Sequence, residues 1–204
     1  EYTTHSAWSI CNDVCLMREI AMKRRQQRLD NGALVLTNQK LTFKLDSNGN
    51  PVETDTYTIR ESNQLVEEYM LLANYLVAQE LLLKFGEAAF IRNHGNPDAS
   101  GMKALQDVFT GLGYELDVTS AATIQACLNN VGRTATDETL SIVSMMLAKP
   151  VPEAQYIVAG EDPGIWRHYA LSIPYYTHFT SPIRRYADVM VHRLLQHYLD
   201  GKKS

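Results

Sequence analysis

The spacing of apolar and polar positions predicts two long helices in the first half of the chain. Residues 13–29 are rich in Arg, Lys and Gln. Residues 61–84 carry apolar side chains at three- and four-residue intervals. The residues expected to cap or end these helices are Asn12 or Asp13 and Asp30-Asn31-Gly32 for the first, and Gly86 for the second.

A different pattern separates the two helices and predicts a β-hairpin. Residues 40–46 and 52–59 are strand candidates, and the second alternates and is enriched in Thr and Tyr. The segment 47–51 reads Ser-Asn-Gly-Asn-Pro, with the turn-forming pair Asn-Gly near its centre. Other short strands are predicted at 33–36, 88–92, 155–158 and 168–173.

The rest of the chain is mostly helical. Helices are predicted at 100–112, 120–130, 137–148 and 182–199, with a loop at 93–100. The order of elements has no regular β-α-β alternation, so we expect an α+β fold with helices packed around a small, mostly antiparallel sheet. No linker-like stretch divides the chain, and we treat residues 1–204 as one unit.

The composition is that of an ordinary globular protein, with 45% hydrophobic and 21% charged residues. The net charge is −4, so a nucleic acid could be bound only through a local cluster of positive charge. Three cysteines are too few for a disulfide framework and indicate a reducing compartment. No apolar run is long enough for a membrane span, and no secretory signal is visible. The chain does not begin with Met, so we expect a fragment or a processed piece.

The most informative segment precedes and enters the last predicted helix. Thr180 or Ser181 is a natural N-cap, and Pro182 suits the first helical position. One broad apolar face, expected in the core, contains Ile183, Tyr186, Ala187, Met190, Val191, Leu194, Leu195 and Tyr198.

Arg184 would then lie in the first turn of that helix, beside unpaired backbone N–H groups. A guanidinium at the positive end of a helix dipole suits a phosphate. Arg185 stands three residues before Asp188 and can simply pair with it. Position alone favours the simpler alternative, in which an Arg–Asp pair decorates an amphipathic helix.

A polar line on the helix at 61–84 has two interpretations. Asn63, Glu67 and Asn74 fall near one angle and are flanked by Met70, Leu71 and Leu81. Such a line would be costly to bury without partners. It is either an internal hydrogen-bond network or one side of a lined channel.

Several stretches resemble the ribonuclease II (RNB) family. The signature is carried by His168-Tyr169-Ala170 and by the run from Tyr176 to Leu195, which contains Thr-Ser-Pro-Ile-Arg-Arg-Tyr. Further matches are Trp8–Val14, Arg25–Arg28, Asn31–Leu34 and Glu61–Asn74, whereas residues 93–160 match more by pattern than by motif. These motif sequences are most similar to those of the eukaryotic branch of the family, which holds the exosome's catalytic nuclease. Within that branch they are most similar to the exosome-independent cytoplasmic relative that degrades uridylated RNA.

The resemblance implies a 3′→5′ exoribonuclease that hydrolyses single-stranded RNA to 5′-monophosphates as a monomeric catalytic unit. A Mg²⁺ site of clustered aspartates would activate the attacking water. Arg184 is implied to stabilise charge on the scissile phosphate, and Glu67 to lie near the terminal nucleotides. The remaining residues implied to be on the RNA side are Asn63, Asn74, Tyr176, His178, Thr180, Ser181 and Arg185.

The family's aspartate-rich stretch has no counterpart in this sequence. The pattern Asp-x₅-Asp-x-Asp-Asp does not occur, and Asp13, Asp30, Asp46 and Asp55 suit caps or turns. We therefore expect the C-terminal part of the catalytic domain, without the Mg²⁺ ligands and without flanking cold-shock and S1 domains. Two functions stay open: a segment of an active exoribonuclease, or a catalytically silent module that binds RNA or a partner protein. A weaker third possibility is a purely structural helical fragment.

Overall fold

The first helix, α1, spans Ala7–Asp30 and begins earlier than the sequence predicts. Its N-cap is Ser6, whose hydroxyl accepts the amide of Ser9 at 3.1 Å, so Asn12 and Asp13 lie inside the helix. Helix α1 ends where predicted, with Asn31 as its C-cap and Gly32 at φ +91°. The computed structural model describes residues 6–36, 41–56 and 59–201.

The predicted hairpin is present. Strands β1 (Leu41–Leu45) and β2 (Pro51–Thr56) pair antiparallel. The carboxylate of Asp46 organises the turn by accepting the amides of Asn48 and Asn50, at 2.8 and 2.9 Å. Position 40 and positions 57–58, at the ends of the predicted strands, lie outside the described residues.

The second long helix, α2 (Glu61–Phe85), packs along α1 and ends at Gly86 as predicted. In the described part of the chain, four ion pairs join the two helices. They are Arg18–Glu61 at 2.7 Å, Arg25–Glu67 at 3.2 Å, Arg25–Glu68 at 3.5 Å and Arg28–Glu68 at 2.5 Å. Glu68 is 2% exposed, so its charge is held in the interface by both Arg25 and Arg28.

A second antiparallel pair joins the strand that follows α2, after a short 3₁₀ turn, to a strand much later in the chain. Strand β3 (Phe90–Asn93) pairs antiparallel with β4 (Gln155–Val158), which places Arg92 opposite Tyr156. The α+β class is confirmed, with the strands divided between two two-stranded antiparallel sheets in the described part of the chain.

Three helices form one hydrophobic core between β3 and β4. They are α3 (Ala99–Gly111), α4 (Ala121–Thr134) and α5 (Asp137–Ala148), each begun by a side-chain N-cap. The buried side chains of this core are Leu34, Met102, Phe109, Leu116, Ile124, Cys127, Leu128, Val131, Val143 and Leu147.

A second core joins α2, β3, β4 and the last helix, α6 (Tyr186–Gly201). Its fully buried members are Leu81, Ala89, Ile91, Ala159 and Val191. This core fixes α6 against α2, and the chain entering α6 runs along its surface.

Two predicted strands are wrong. Residues 33–36 and 168–173 are loop, because neither has a neighbouring strand to pair with along its length. The amide of Leu34 donates to the carbonyl of Ala170 at 2.8 Å, and His168 bridges back to Ile173 within its own tight loop. Their backbone groups are thus satisfied without a ladder.

The first half of α1 exposes six large apolar side chains to solvent. They are Trp8, Ile10, Val14, Leu16, Met17 and Ile20. In the described ranges, no helix combines the length and apolar character needed to cross a membrane.

Candidate nucleic-acid interface

The segment from Tyr176 to Thr180 is held against α2 by one buried side chain. Asn74 is 3% exposed, and its Nδ2 donates to the hydroxyl of Tyr176 at 2.8 Å. Its Oδ1 accepts the backbone amides of Phe179 at 2.9 Å and Thr180 at 3.2 Å. Because a backbone N–H can only donate, the amide oxygen has to face these two residues. Asn74 therefore determines the path of this segment.

The opposite side of the segment is fixed to β3 and α6. Thr177 is fully buried and donates its hydroxyl to the carbonyl of Phe90 at 3.1 Å. His192 of α6 contacts Phe179 twice, through Nε2 at 2.8 Å from the carbonyl oxygen and through stacked rings with centroids 4.2 Å apart. Residues 176–180 are thus a rigid platform between three elements.

The last helix begins later than predicted, at Tyr186 instead of Pro182. Residues 182–184 form a turn, in which the amides of Arg184 and Arg185 both donate to the carbonyl of Ser181, at 3.2 and 3.1 Å. Arg184 therefore lies outside the first helical turn. The predicted support from the helix dipole is wrong for this residue.

Asp188 explains the delayed start of the helix. Its fully buried carboxylate accepts the amide of Ser181 at 2.7 Å, and Arg185 donates Nε and Nη2 to its two oxygens at 2.6 and 2.8 Å. Burial alone would raise its pKa, but the hydrogen bonds from Arg185 and Ser181 hold the pKa of Asp188 below its ordinary value. Ser181 is tied back to the helix, so the residues between them loop outward.

This loop displays side chains that the sequence places in the core. Ile183 is 98% exposed and Tyr186 69% exposed, whereas Val191 and Leu194 pack into the second core as predicted. Arg184 is exposed as well, and within the described ranges its side chain has no hydrogen bond or ion pair. The turn therefore presents a free guanidinium to solvent.

Positive charge gathers around the half-buried imidazole of His178. Its Nδ1 lies 2.6 Å from the hydroxyl of Tyr156. Burial, followed by the charges of Arg185, Arg92 and Arg184, lowers the pKa of His178 to about 4. Because Arg185 alone of the three is neutralised by a carboxylate in the described structure, the surroundings carry excess positive charge. The chain has a net charge of −4, so this is the local cluster that nucleic-acid binding would require.

Two further histidines, His94 and His168, pack beside Tyr176 of the platform. Nδ1 of His94 accepts the amide of Ala170 at 3.0 Å, and its Nε2 lies 2.7 Å from the carbonyl of Pro152, so the ring is neutral with its proton on Nε2. The ring of His168 lies 4.8 Å from that of His94 and 5.3 Å from that of Tyr176. Burial, with a further contribution from His94, lowers the pKa of His168 to about 3.

The polar line on α2 divides into three separate environments. Asn63 accepts the amide of Arg60 at 2.9 Å and thereby caps the helix. Glu67 pairs with Arg25 of α1, with 45% of its side chain exposed. Asn74 holds the platform, about 10 Å further along the helix axis than Glu67. Each position thus has an internal partner, which favours the hydrogen-bond network over direct ligand contact at Asn63 and Asn74.

The structure gathers most of the predicted site residues at one place and leaves two apart. Thr180 and Ser181 are half-buried, and their amides are bound by Asn74 and Asp188. Asn63 and Glu67 belong to the α1-facing end of α2. The residues that meet around the turn are Asn74, Tyr176, His178, Thr180, Ser181, Arg184 and Arg185.

Sequence reasoning missed two members of this cluster, Arg92 and Tyr156. The guanidinium of Arg92 lies over the ring of Tyr156 at 4.6 Å, and the two residues are cross-strand partners in β3 and β4. Both strands are predictable, but only their pairing in this register would have brought the two side chains to His178. Across the described ranges, no cluster of three or more His, Cys, Asp or Glu side chains is suited to hold a metal ion.

Comparison with known proteins gives the family to which this scaffold belongs. Residues 3–201 match the RNB domain, so the chain belongs to the RNB-domain family. It is 41% identical over 198 residues to DIS3-like exonuclease 2 of Xenopus tropicalis, and 34% identical over 180 residues to exosome complex exonuclease RRP44 of Homo sapiens. These matches cover 94% and 88% of the chain but 24% and 19% of the relatives, so the chain spans about a quarter of their length or less.

Several solved structures share the fold. Mycoplasma genitalium RNase R in complex with double-stranded RNA matches 98% of the chain and 34% of its own, with a TM-score of 0.80 and 24% identity. Yeast Ssd1, described as a pseudonuclease, matches 95% of the chain and 24% of its own, with a TM-score of 0.69 and 27% identity. The scaffold therefore occurs both in an RNase and in a protein described as a pseudonuclease.

Proposed function

We propose that the chain forms one wall of the RNA path in a 3′→5′ exoribonuclease that hydrolyses single-stranded RNA to 5′-monophosphates. The observation that carries the proposal is the free guanidinium of Arg184, held on a turn that Asn74 and Asp188 fix from both sides. Family membership and the relatives named exonucleases give the reaction class.

In this proposal Arg184 donates hydrogen bonds to the oxygens of the scissile phosphate. Its planar fork matches phosphate geometry, and a preorganised charge stabilises the transition state because it needs no reorganisation during the reaction. The support comes from the rigid turn and from the nearby charge of Arg92, since the helix terminus does not contribute. The phosphate contact would occur where the chain already concentrates positive charge.

The remaining candidates divide by exposure. His178, Thr180 and Ser181 are half-buried and can contact the RNA directly, and Glu67 keeps nearly half of its side chain open to solvent. Tyr176 is 5% exposed, like the buried Asn74. We assign Asn74, Tyr176 and Arg185 the role of positioning the RNA-contacting residues, and Asn63 the role of capping α2.

The Mg²⁺ implied by the resemblance does not fit the described residues, which offer no cluster of ligands. We propose that its aspartates belong to another part of the complete enzyme, and we derive no step through the ion here. The substrate we propose is single-stranded RNA, including 3′-uridylated RNA, acted on by a monomeric enzyme of the cytoplasm. The similarity to DIS3-like exonuclease 2 supports the exonuclease activity.

A second candidate function is a catalytically inactive module that binds RNA or a partner protein. The likeness to Ssd1 favours it, because a pseudonuclease retains this scaffold. If the inactive module binds RNA, it does so through the same Arg184 surface, and the two candidates then differ in whether the RNA is shortened.

The test uses the full polypeptide that contains this chain, with Mg²⁺ and a 5′-labelled single-stranded RNA. We expect stepwise shortening from the 3′ end, severe loss of rate in Arg184→Ala, and normal rate in Arg193→Ala, which removes an exposed arginine of α6. RNA binding without shortening would instead support the inactive module. Residues 1–204 alone should leave the RNA intact, and processive shortening by that purified fragment would contradict the assignment of the metal ligands.

A further inference from the structure

Tyr156 contacts Phe90, Arg92 and His178, and among the described residues its hydroxyl has one hydrogen-bond partner. Its ring stacks on Phe90 with centroids 5.4 Å apart and an interplanar angle of 11°. The guanidinium of Arg92 lies over the ring at 4.6 Å. The hydroxyl lies 2.6 Å from Nδ1 of His178. The geometry leaves open whether the proton of this hydrogen bond belongs to the hydroxyl of Tyr156 or to Nδ1 of His178.

The surroundings of His178 favour a neutral ring. Burial and three arginine side chains oppose an added proton, and Asp188, the carboxylate near the ring, is already bound to Arg185. A neutral imidazole carries one N–H, and the hydrogen bond made by one nitrogen decides which of the two bears it.

Arg92 makes the phenol of Tyr156 a donor. Sharing the phenolic proton places negative charge on the oxygen and the ring, and a guanidinium stacked at 4.6 Å stabilises that charge. The lone pair of an unprotonated imidazole nitrogen is the matching acceptor. Nδ1 of His178 should therefore be the unprotonated nitrogen.

We propose that Tyr156 is a positioning residue, whose hydroxyl donates to Nδ1 of His178 and so places the imidazole proton on Nε2. That nitrogen has no partner in the described structure and becomes a neutral hydrogen-bond donor to a non-bridging phosphate oxygen of the RNA. The inference rests on the proposed function of the turn as an RNA-contacting surface. Arg184 contributes positive charge to the contact with the phosphate, and His178 contributes a directional hydrogen bond.

The division of roles has a physical advantage. Arg92 and Tyr156 are cross-strand partners, so the donor to His178 is fixed by a sheet and not by a mobile loop. The donor at Nε2 needs no protonation event, so it is present at any pH where the ring is neutral. Neither Arg92 nor Tyr156 has to touch the RNA.

The tautomer can be measured directly in the 204-residue chain. Two-bond proton–nitrogen correlation spectra report which ring nitrogen is protonated, and a His178→Gln variant assigns the signals. We expect wild-type His178 to be protonated on Nε2, and Tyr156→Phe, which keeps the ring contacts, to give a mixture of tautomers. A wild-type ring protonated on Nδ1, or an unchanged tautomer in a folded Tyr156→Phe variant, would overturn the proposal.

Binding of a single-stranded oligoribonucleotide gives the second readout. Tyr156→Phe should weaken binding about threefold to tenfold, the effect of one misdirected neutral hydrogen bond, whereas Tyr114→Phe, a matched change in the α3–α5 core, should not. Wild-type binding in Tyr156→Phe would overturn the role of His178. If the wild-type chain binds no RNA while its His178 shows the expected tautomer, the proposed function fails and the Tyr156–His178 relationship stands.

Discussion

The carboxylate of Asp188 holds the guanidinium of Arg185 through two hydrogen bonds, Nε–Oδ2 at 2.6 Å and Nη2–Oδ1 at 2.8 Å. Of two adjacent arginines, one is thereby committed to the fold and the other is left free. Asp188 also binds the amide of Ser181, so the same carboxylate shapes the turn that presents Arg184. The charge of Arg184 is thus positioned by a residue it does not itself contact.

Asp188→Asn should destabilise the chain by about 3 kcal/mol. The substitution removes the charge that compensates Arg185 in a buried site and leaves one donor facing another. The free energy of unfolding in urea measures the effect. Asp107→Asn, an exposed carboxylate on α3, is the control and should change stability by less than about 0.5 kcal/mol. Equal stability of the two variants would show that the carboxylate does not hold the turn.

Alanine substitutions of Arg184 and Arg185 should differ in their effect on the free energy of unfolding. Arg184→Ala should leave the free energy of unfolding within about 0.5 kcal/mol of wild type, since the side chain is exposed and unpaired in the described structure. Arg185→Ala should cost about 3 kcal/mol, because the buried charge of Asp188 loses its partner. Urea denaturation of both variants tests this difference.

RNA measurements complete the comparison of the arginines. In Arg184→Ala, the salt dependence of single-stranded RNA binding should fall by about 0.7 in log–log slope, the value for one lost phosphate contact. In the complete enzyme the rate of degradation should fall about a hundredfold. An unchanged slope together with an unchanged rate would remove Arg184 from the interface.

The sequence predicts elements whose signals are local. The hairpin at 41–56 is recovered because Asn48-Gly49 and Asp46 set the turn by themselves, and α5 because Thr136 caps it. The start of α6 is missed because a carboxylate beyond the turn captures the amide of Ser181, so a motif typical of helix caps becomes a turn. Propensity within the motif gives no sign of this competition.

The site is partly predictable for the same reason. Motif resemblance finds the turn and its arginines, whereas Arg92 and Tyr156 come from strands far apart in sequence and meet only through the β3–β4 register. The polar line on α2 is visible as a pattern, but its partners on α1 and in the platform depend on tertiary packing. Residues 33–36 have strand-like composition, and no strand lies beside them to pair.

Asn74→Ala should destabilise the chain by about 3 kcal/mol. It leaves the amides of Phe179 and Thr180 without their acceptor in a buried site, and each unsatisfied group costs about 1–3 kcal/mol. Thermal and urea unfolding measure the loss. Asn129→Ala, on the exposed face of α4, is the control. Rescue by Asn74→Asp is also expected, because a carboxylate can accept both amides and the hydroxyl of Tyr176; failure of Asp to improve on Ala would argue against this network.

Acidification should destabilise the fold through His168 and His178. Burial, aided by neighbouring positive charge, lowers their pKa values to about 3 and about 4, whereas the unfolded chain titrates near 6.5. Below pH 6.5 the unfolded state therefore binds protons that the native state does not bind. The contribution of the two neutral histidines to the free energy of unfolding is thus complete above that pH and is lost as pH falls toward 4 and then 3. The buried His168 alone should give a slope of about 1.4 kcal/mol per pH unit. Urea denaturation between pH 7 and pH 4.5 measures the slope, which should be smaller in His178→Gln and unchanged in His197→Gln, an exposed position on α6. A flat profile in the wild-type chain would mean that neither ring is buried as the structure describes.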